Sequence, residues 1–145
     1  MAEKIPQTLA NHARFDPLFH FFTLPAFLIS WIVSIVLAVR HPTILAAWEV
    51  VLMTAATVAV FKIRLYALKI QDRIIRLEER LRLTSILPEA GRSAITGITE
   101  DQWIALRFAS DGEVSALAAR CVAEKLPRKE VKKAVQTWRP DYWRI

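Results

Sequence analysis

The sequence predicts an all-α chain: a transmembrane helical hairpin, its second helix extended into the cytoplasm, and a small C-terminal three-helix module. Three observations carry this. First, charge and hydrophobicity are segregated. Over half of the 145 residues are apolar, yet Phe21–Val39 holds no charged side chain, while Lys62 to Arg92 holds eight Lys or Arg and four Asp or Glu. Second, two apolar runs, Phe19–Val39 and Ile44–Phe61, are 21 and 18 residues long. A helix of 21 residues spans roughly 31 Å, about the thickness of a hydrocarbon core. Third, beyond residue 61 the apolar residues fall at helical spacing, and capping sequences open further short helices. The chain so read has an N-terminal cytoplasmic segment (1–17), the hairpin (18–61), a juxtamembrane amphipathic helix (62–84), a linker (85–98) and the C-terminal module (99–145).

In the hairpin, Asp16-Pro17 is a helix start, with Asp capping and Pro in the first turn. Pro25 removes one donor inside the run and predicts a kink or a helix beginning near Thr23. Arg40-His41-Pro42-Thr43 is too short to let the chain wander, so the helices are antiparallel neighbours. Neither run has a polar face, which disfavours a buried pair in a soluble protein of this size. The mixed charges Glu3 and Lys4 and the length of the first run do not read as a secretory signal. The link carries only Arg40 and His41, whereas Lys62, Arg64, Lys69, Arg73, Arg76, Arg80 and Arg82 follow the second run. The positive-inside rule then puts both termini in the cytoplasm.

Glu49 is the one acid at membrane depth, and Ser34 lies about opposite it, so a Ser34–Glu49 hydrogen bond is expected. An intramembrane acid can mark an ion or proton site. An acid near the interface that snorkels or pairs with Arg40 is the favoured alternative, because a lone carboxylate makes a poor relay. Ala55, Ala56 and Ala59 give the second helix a small-residue face.

Past the bilayer, Ile63, Ala67, Ile70, Ile74, Leu77 and Leu81 alternate spacings of four and three, a heptad seam. With Ile63, Ile70 and Leu77 at d, Arg73 is a g residue and Glu78 the following e, a pair that meets between chains in a parallel coil. Asp72–Arg76 and Glu78–Arg82 are spaced for intrachain support. Two readings stand: the seam pairs with a second copy, or the protein's own C-terminal helices cover it. Lys62, Arg64 and Lys69 are placed to contact anionic lipid headgroups.

Pro88, Gly91, Ser93 and Gly97 mark the linker. Thr99-Glu100-Asp101-Gln102 and Ser110-Asp111-Gly112-Glu113 are capping boxes. The first opens a helix with Trp103, Ile104 and Phe108. The second opens one with Val114, Leu117, Ala118, Cys121 and Val122 on one face. Pro127 starts a third helix with Val131, Ala134, Val135 and Trp138 at amphipathic spacing. In the tail, Tyr142 and Trp143 beside arginines fit either the bilayer interface or the module. Nucleic-acid binding is not expected: residues 99–145 hold nine basic and seven acidic side chains, far from a basic footprint.

Catalytic chemistry has no foothold. His12, His20 and His41 are too dispersed to share a metal, Cys121 falls on an apolar helix face, and no phosphate loop or nucleophile elbow occurs. No cofactor, metal site or catalytic residue is expected.

Several segments resemble a bacterial family of small two-helix membrane proteins of unknown function. They are Asn11-His12-Ala13-Arg14-Phe15 with Pro17 and His20; Tyr66-Ala67-Leu68-Lys69-Ile70-Gln71-Asp72-Arg73-Ile74-Ile75-Arg76-Leu77-Glu78; Ala105-Leu106-Arg107-Phe108-Ala109-Ser110-Asp111; and Val131-Lys132-Lys133-Ala134 with Trp138-Arg139-Pro140-Asp141-Tyr142. The resemblance implies a bacterial inner-membrane location and this two-part layout, and no activity or ligand. The expected function is structural or accessory: a membrane protein that binds another copy or a membrane-complex partner through its cytoplasmic helices. Two alternatives are a small oligomeric channel with Glu49, Ser34 and Thr54 at an interface between copies, and an enzyme or redox subunit with sites shared across chains.

Overall fold

The computed structural model describes residues 6–12, 16–87 and 89–141; the tail residues Tyr142 and Trp143 and the linker marker Pro88 lie outside them. The chain is all-helical. Helix α1 spans Leu24–Arg40, α2 Ile44–Ile86, α3 Glu100–Leu106, α4 Asp111–Ala123 and α5 Arg128–Ala134. Two compact units form. Among the described residues, one holds 16–69 and the other 6–12 with 70–141.

In the first unit the helical path begins at Asp16, whose carboxylate accepts from the Phe19 N–H at 3.2 Å. The proline is absorbed without a break. Phe19–Thr23 forms a π-turn, in which the Leu24 N–H reaches back to the Phe19 carbonyl. Widening the turn just ahead of Pro25 lets the helix continue past a residue that has no N–H to donate. Thr43 caps α2, accepting from the Ala46 N–H at 3.1 Å, as a Thr before a helix does. The Trp31 indole donates to the Thr54 hydroxyl at 2.8 Å, and Ser34 and Thr57 are buried. The stretches Phe19–Arg40 and Ile44–Ile86 each contain an apolar window long enough to cross a membrane, and only 6% of each window is buried within the protein.

α2 is one helix of 43 residues, roughly 64 Å long. Its last turns belong to the second unit, whose core gathers Leu83 of α2 with Trp103, Leu106, Phe108, Val114 and Val131. The capping boxes at Thr99 and Ser110 both form. Residues 85–98 are more than a linker. Glu89–Gly97 winds as a 3-10 helix, and Ile95 and Ile98 are buried in the core. A Cβ on Gly97 would lie 2.8 Å from Val122 Cγ1, so glycine allows this segment to approach α4. α4 ends with the Leu126 N–H on the Cys121 carbonyl and Lys125 at φ 50°. That is the left-handed residue of a Schellman end, here a lysine instead of the usual glycine. The expected i,i+4 pairs give way to two tertiary pairs and one i,i+3 pair within α2. Arg76 pairs with Glu100 instead of Asp72, and Arg82 with Glu79 and Asp111 instead of Glu78.

Cys121 is fully buried on α4. Desolvation pushes its thiol up from about 9 to about 11; Arg120 opposes the rise and Glu124 adds to it. The folded state therefore holds the proton more tightly than the unfolded chain. The resulting stability is complete below about pH 9 and is lost as pH climbs to about 11. Thermal melts should fall over that window more steeply than those of Cys121→Ala, and thiol reagents should fail to label Cys121 at pH 8 until denaturant is added. Rapid labelling of the folded protein would contradict this.

Candidate functional site

Within the second unit, α2 presents two faces of different fate. Ile75, Glu79 and Leu83 recur every four residues and are 6%, 5% and 0% exposed. Ile70, Ile74, Leu77 and Leu81, the seam residues, are 59%, 51%, 59% and 64% exposed. At 100° per residue the two lines stand roughly 170° apart, on nearly opposite sides of the helix. In heptad terms the core takes b, c and f positions and leaves a and d bare. The reading in which the C-terminal helices cover the seam is thereby corrected: those helices pack on the other side. Of the two remaining seam residues, Ile63 is exposed and Ala67 half-buried. Arg73 and Glu78 flank the seam, both exposed.

The covered face is fastened by ions. The Glu79 carboxylate accepts from Arg82 at 2.8 Å and from Arg139 at 3.3 Å. Arg82 also donates to Asp111 at 2.7 Å and to the Ala109 carbonyl at 2.7 Å, so one guanidinium joins α2 to the start of α4. Glu113 latches the tail. Its carboxylate accepts from the backbone N–H groups of Ser110, Gln136 and Thr137 at 3.0–3.2 Å. Around this latch, Ala109 and Trp138 form a single antiparallel bridge. Glu113→Ala should cost about 2–3 kcal/mol, since hydrogen bonds to a charged group contribute about 1.5–3 kcal/mol each and this site is partly solvated. Urea unfolding measures the loss, and a cost below half of it would contradict the latch.

The N-terminal segment is seated on the same unit. Gln7 donates to the Asp141 carbonyl at 2.9 Å and accepts from the Asp141 N–H at 2.7 Å. The His12 ring lies 5.5 Å from Phe108 and 5.8 Å from Trp138, themselves 4.8 Å apart. His12 Nδ1 is 2.8 Å from the Leu9 carbonyl, which can only accept, so that nitrogen carries the proton. Nε2 then accepts from Lys132 Nζ at 2.8 Å. Arg107, 4% exposed, pairs with Asp141 at 3.2 Å and stands 4.3 Å over the Phe108 ring. Sequence reasoning missed this cluster and the tie from Arg82 to Asp111 and Ala109, because the partners lie far apart in the chain.

The family model for a family of unknown function, DUF6526, matches residues 1–145. The chain belongs to this family. Neither a curated protein nor a solved structure matches it. Three of the four segments that carry the resemblance meet here in this DUF6526 chain. His12, Arg107–Phe108 and Trp138–Asp141 come together, which gives them a packing role.

The other expected site residues are dispersed. Ser34 does not bond Glu49; its hydroxyl donates to the Trp31 carbonyl at 2.7 Å. Ser34 faces inward and is 2% exposed, while Glu49 lies on the exposed side of α2. Ser34, Glu49 and Thr54 thus do not gather on one path. Lys62 and Lys69 are exposed and Arg64 half-buried, with Lys62 5.7 Å over Tyr66 and Arg64 5.4 Å over Phe19. His20 Nδ1 is turned to the Asp16 carbonyl at 2.7 Å. Among the described residues no group of three His, Cys, Asp or Glu side chains is placed to hold a metal.

Proposed function

We propose that the chain is a membrane-anchored structural or accessory protein, not an enzyme, that associates with a second copy through the bare seam of α2. The observation that carries this is the row Ile70, Ile74, Leu77 and Leu81, exposed on a helix whose other face is built into a core. Four large aliphatic side chains in one line are an association surface, since burying each contributes about 1.5–3 kcal/mol.

A bilayer location is supported by two long apolar helices whose apolar windows are almost wholly unburied by the protein itself. A soluble protein would bury them. The basic residues after the second apolar run favour both termini in the cytoplasm, and the resemblance to a bacterial family extends the reading to a bacterial inner membrane. The Gln7–Asp141 clamp supports a common side for the segments it joins. Lys62, Arg64 and Lys69 then meet anionic headgroups at the inner surface.

The occupant of the seam is a second copy because two chains inserted alike in one bilayer run parallel. A parallel pair in register sets Arg73 of each chain beside Glu78 of the other, the g–e′ arrangement that favours it. Neither side chain has a hydrogen-bond or ion partner among the described residues of its own chain. Amine cross-linking of the full-length protein in native membranes tests the reading. The expected product is a dimer that stays in the membrane through a carbonate wash. A chain that washes off, or never cross-links at any reagent level, would overturn it.

A further inference from the structure

We infer that the contact between copies does not end where α2 leaves the seam but continues along the same helix to Leu45. This deepens the proposed function and rests on it. Upward from the seam, Ile63, Ala59, Ala56, Leu52, Glu49 and Leu45 follow in steps of four, three, four, three and four. The rhythm is that of the seam itself. Around Ile63 one extra step of four intervenes, which locally relaxes the supercoil without breaking the line. All six belong to one uninterrupted helix. Five of them are exposed and Ala56 is half-buried.

Glu49 distinguishes this line from an ordinary lipid-facing stripe. Several polar groups of the helix pair are satisfied within it: Ser34 on the Trp31 carbonyl, Thr57 on the Met53 carbonyl, Thr54 on the Val50 carbonyl and the Trp31 indole. Glu49, the one acid of the two apolar runs, is exposed and without a partner among the described residues. A carboxyl left facing hydrocarbon is costly. In a parallel twofold pair each residue on the line meets its own counterpart. The second copy therefore removes both Glu49 side chains from lipid. Ala56 and Ala59, two and three steps below, let the backbones come close enough for this. Arg73 and Glu78 fix the same register at the other end.

Single cysteines in the full-length chain, oxidised in native membranes with copper phenanthroline, test the line; the parent, with only the buried Cys121, is the blank. Leu52→Cys and Ala59→Cys should give disulfide dimers comparable to those at Ile70→Cys and Leu77→Cys. Val51 and Leu65 are equally exposed and apolar, at 54% and 52%, but lie more than a quarter turn off the line. Val51→Cys and Leu65→Cys should give at least tenfold less. Dimers at Ile70 and Leu77 without Leu52 and Ala59 would overturn this inference and leave the proposed function standing. No dimer at Ile70 and Leu77 would overturn the proposed function. Equal yields at Val51 and Leu65 would overturn the line.

Discussion

Replacing Ile74 and Leu77 together with lysine is expected to convert the associated protein to a monomer while leaving each chain folded. Both side chains are more than half exposed in the single chain, so the change disturbs no core contact. In the pair, four such side chains, two from each copy, lose their remaining exposure. At about 1.5–3 kcal/mol for full burial, roughly half of that per side chain sums to about 3–6 kcal/mol. Forcing lysines into the seam adds a desolvation cost. Dimer affinity should fall at least a hundredfold, since 1.4 kcal/mol is tenfold. The matched control is Ile75→Lys, one residue away but 6% exposed on the packed face. It should unfold the second unit instead. If Ile74→Lys with Leu77→Lys lowers the melting temperature as much as Ile75→Lys does, the two faces have been misassigned.

The second large effect is Phe108→Ala. Phe108 is 1% exposed and sits at the centre of the second unit. Trp138 and His12 stack against it, and Arg107 and Lys132 stand over its ring at 4.3 and 5.6 Å. Truncating a buried Phe costs about 3–5 kcal/mol, a large part of the about 5–15 kcal/mol that holds a domain folded. The tail and the N-terminal segment both lean on this ring, so the loss should also expose Lys132, Lys133 and Arg139 to trypsin in the otherwise native protein. A cost below about 1 kcal/mol, with no new cleavage, would mean that the ring is not the keystone of this unit.

Much of the fold was legible because it is local. Two long apolar runs, a Pro-containing helix start at Asp16 and the capping boxes at Thr99 and Ser110 are written in consecutive residues. So is the seam, whose spacing defines a helix face without reference to anything else. What was not legible depends on distant partners. Glu78 and Arg82 are correctly spaced for an ion pair, yet the Arg82 head is drawn to Glu79, Asp111 and the Ala109 carbonyl. A half-buried guanidinium gains more from several acceptors than from one solvated carboxylate. Gln7 and His12 carry no local signal that they seat on Phe108, Lys132, Trp138 and Asp141, far along the chain. Glu113 reads as a capping-box acid, and it is one, but its second task of holding the Gln136 and Thr137 amides emerges only when the tail returns. Ile95 and Ile98 fall among Pro, Gly and Ser, and composition there masks their burial. For Ser34, the hydroxyl found its acceptor in its own helix, the Trp31 carbonyl, in place of Glu49.

Which face of α2 is bare decides the functional reading, because a covered seam would leave nothing for a second copy to bind. The most direct test is the mass of the full-length chain carried from native membranes into lipid nanodiscs, measured particle by particle across a range of dilutions. Two chains per disc are predicted for the parent, and one for the variant carrying Ile74→Lys and Leu77→Lys. One chain per disc for the parent at every dilution would contradict the account.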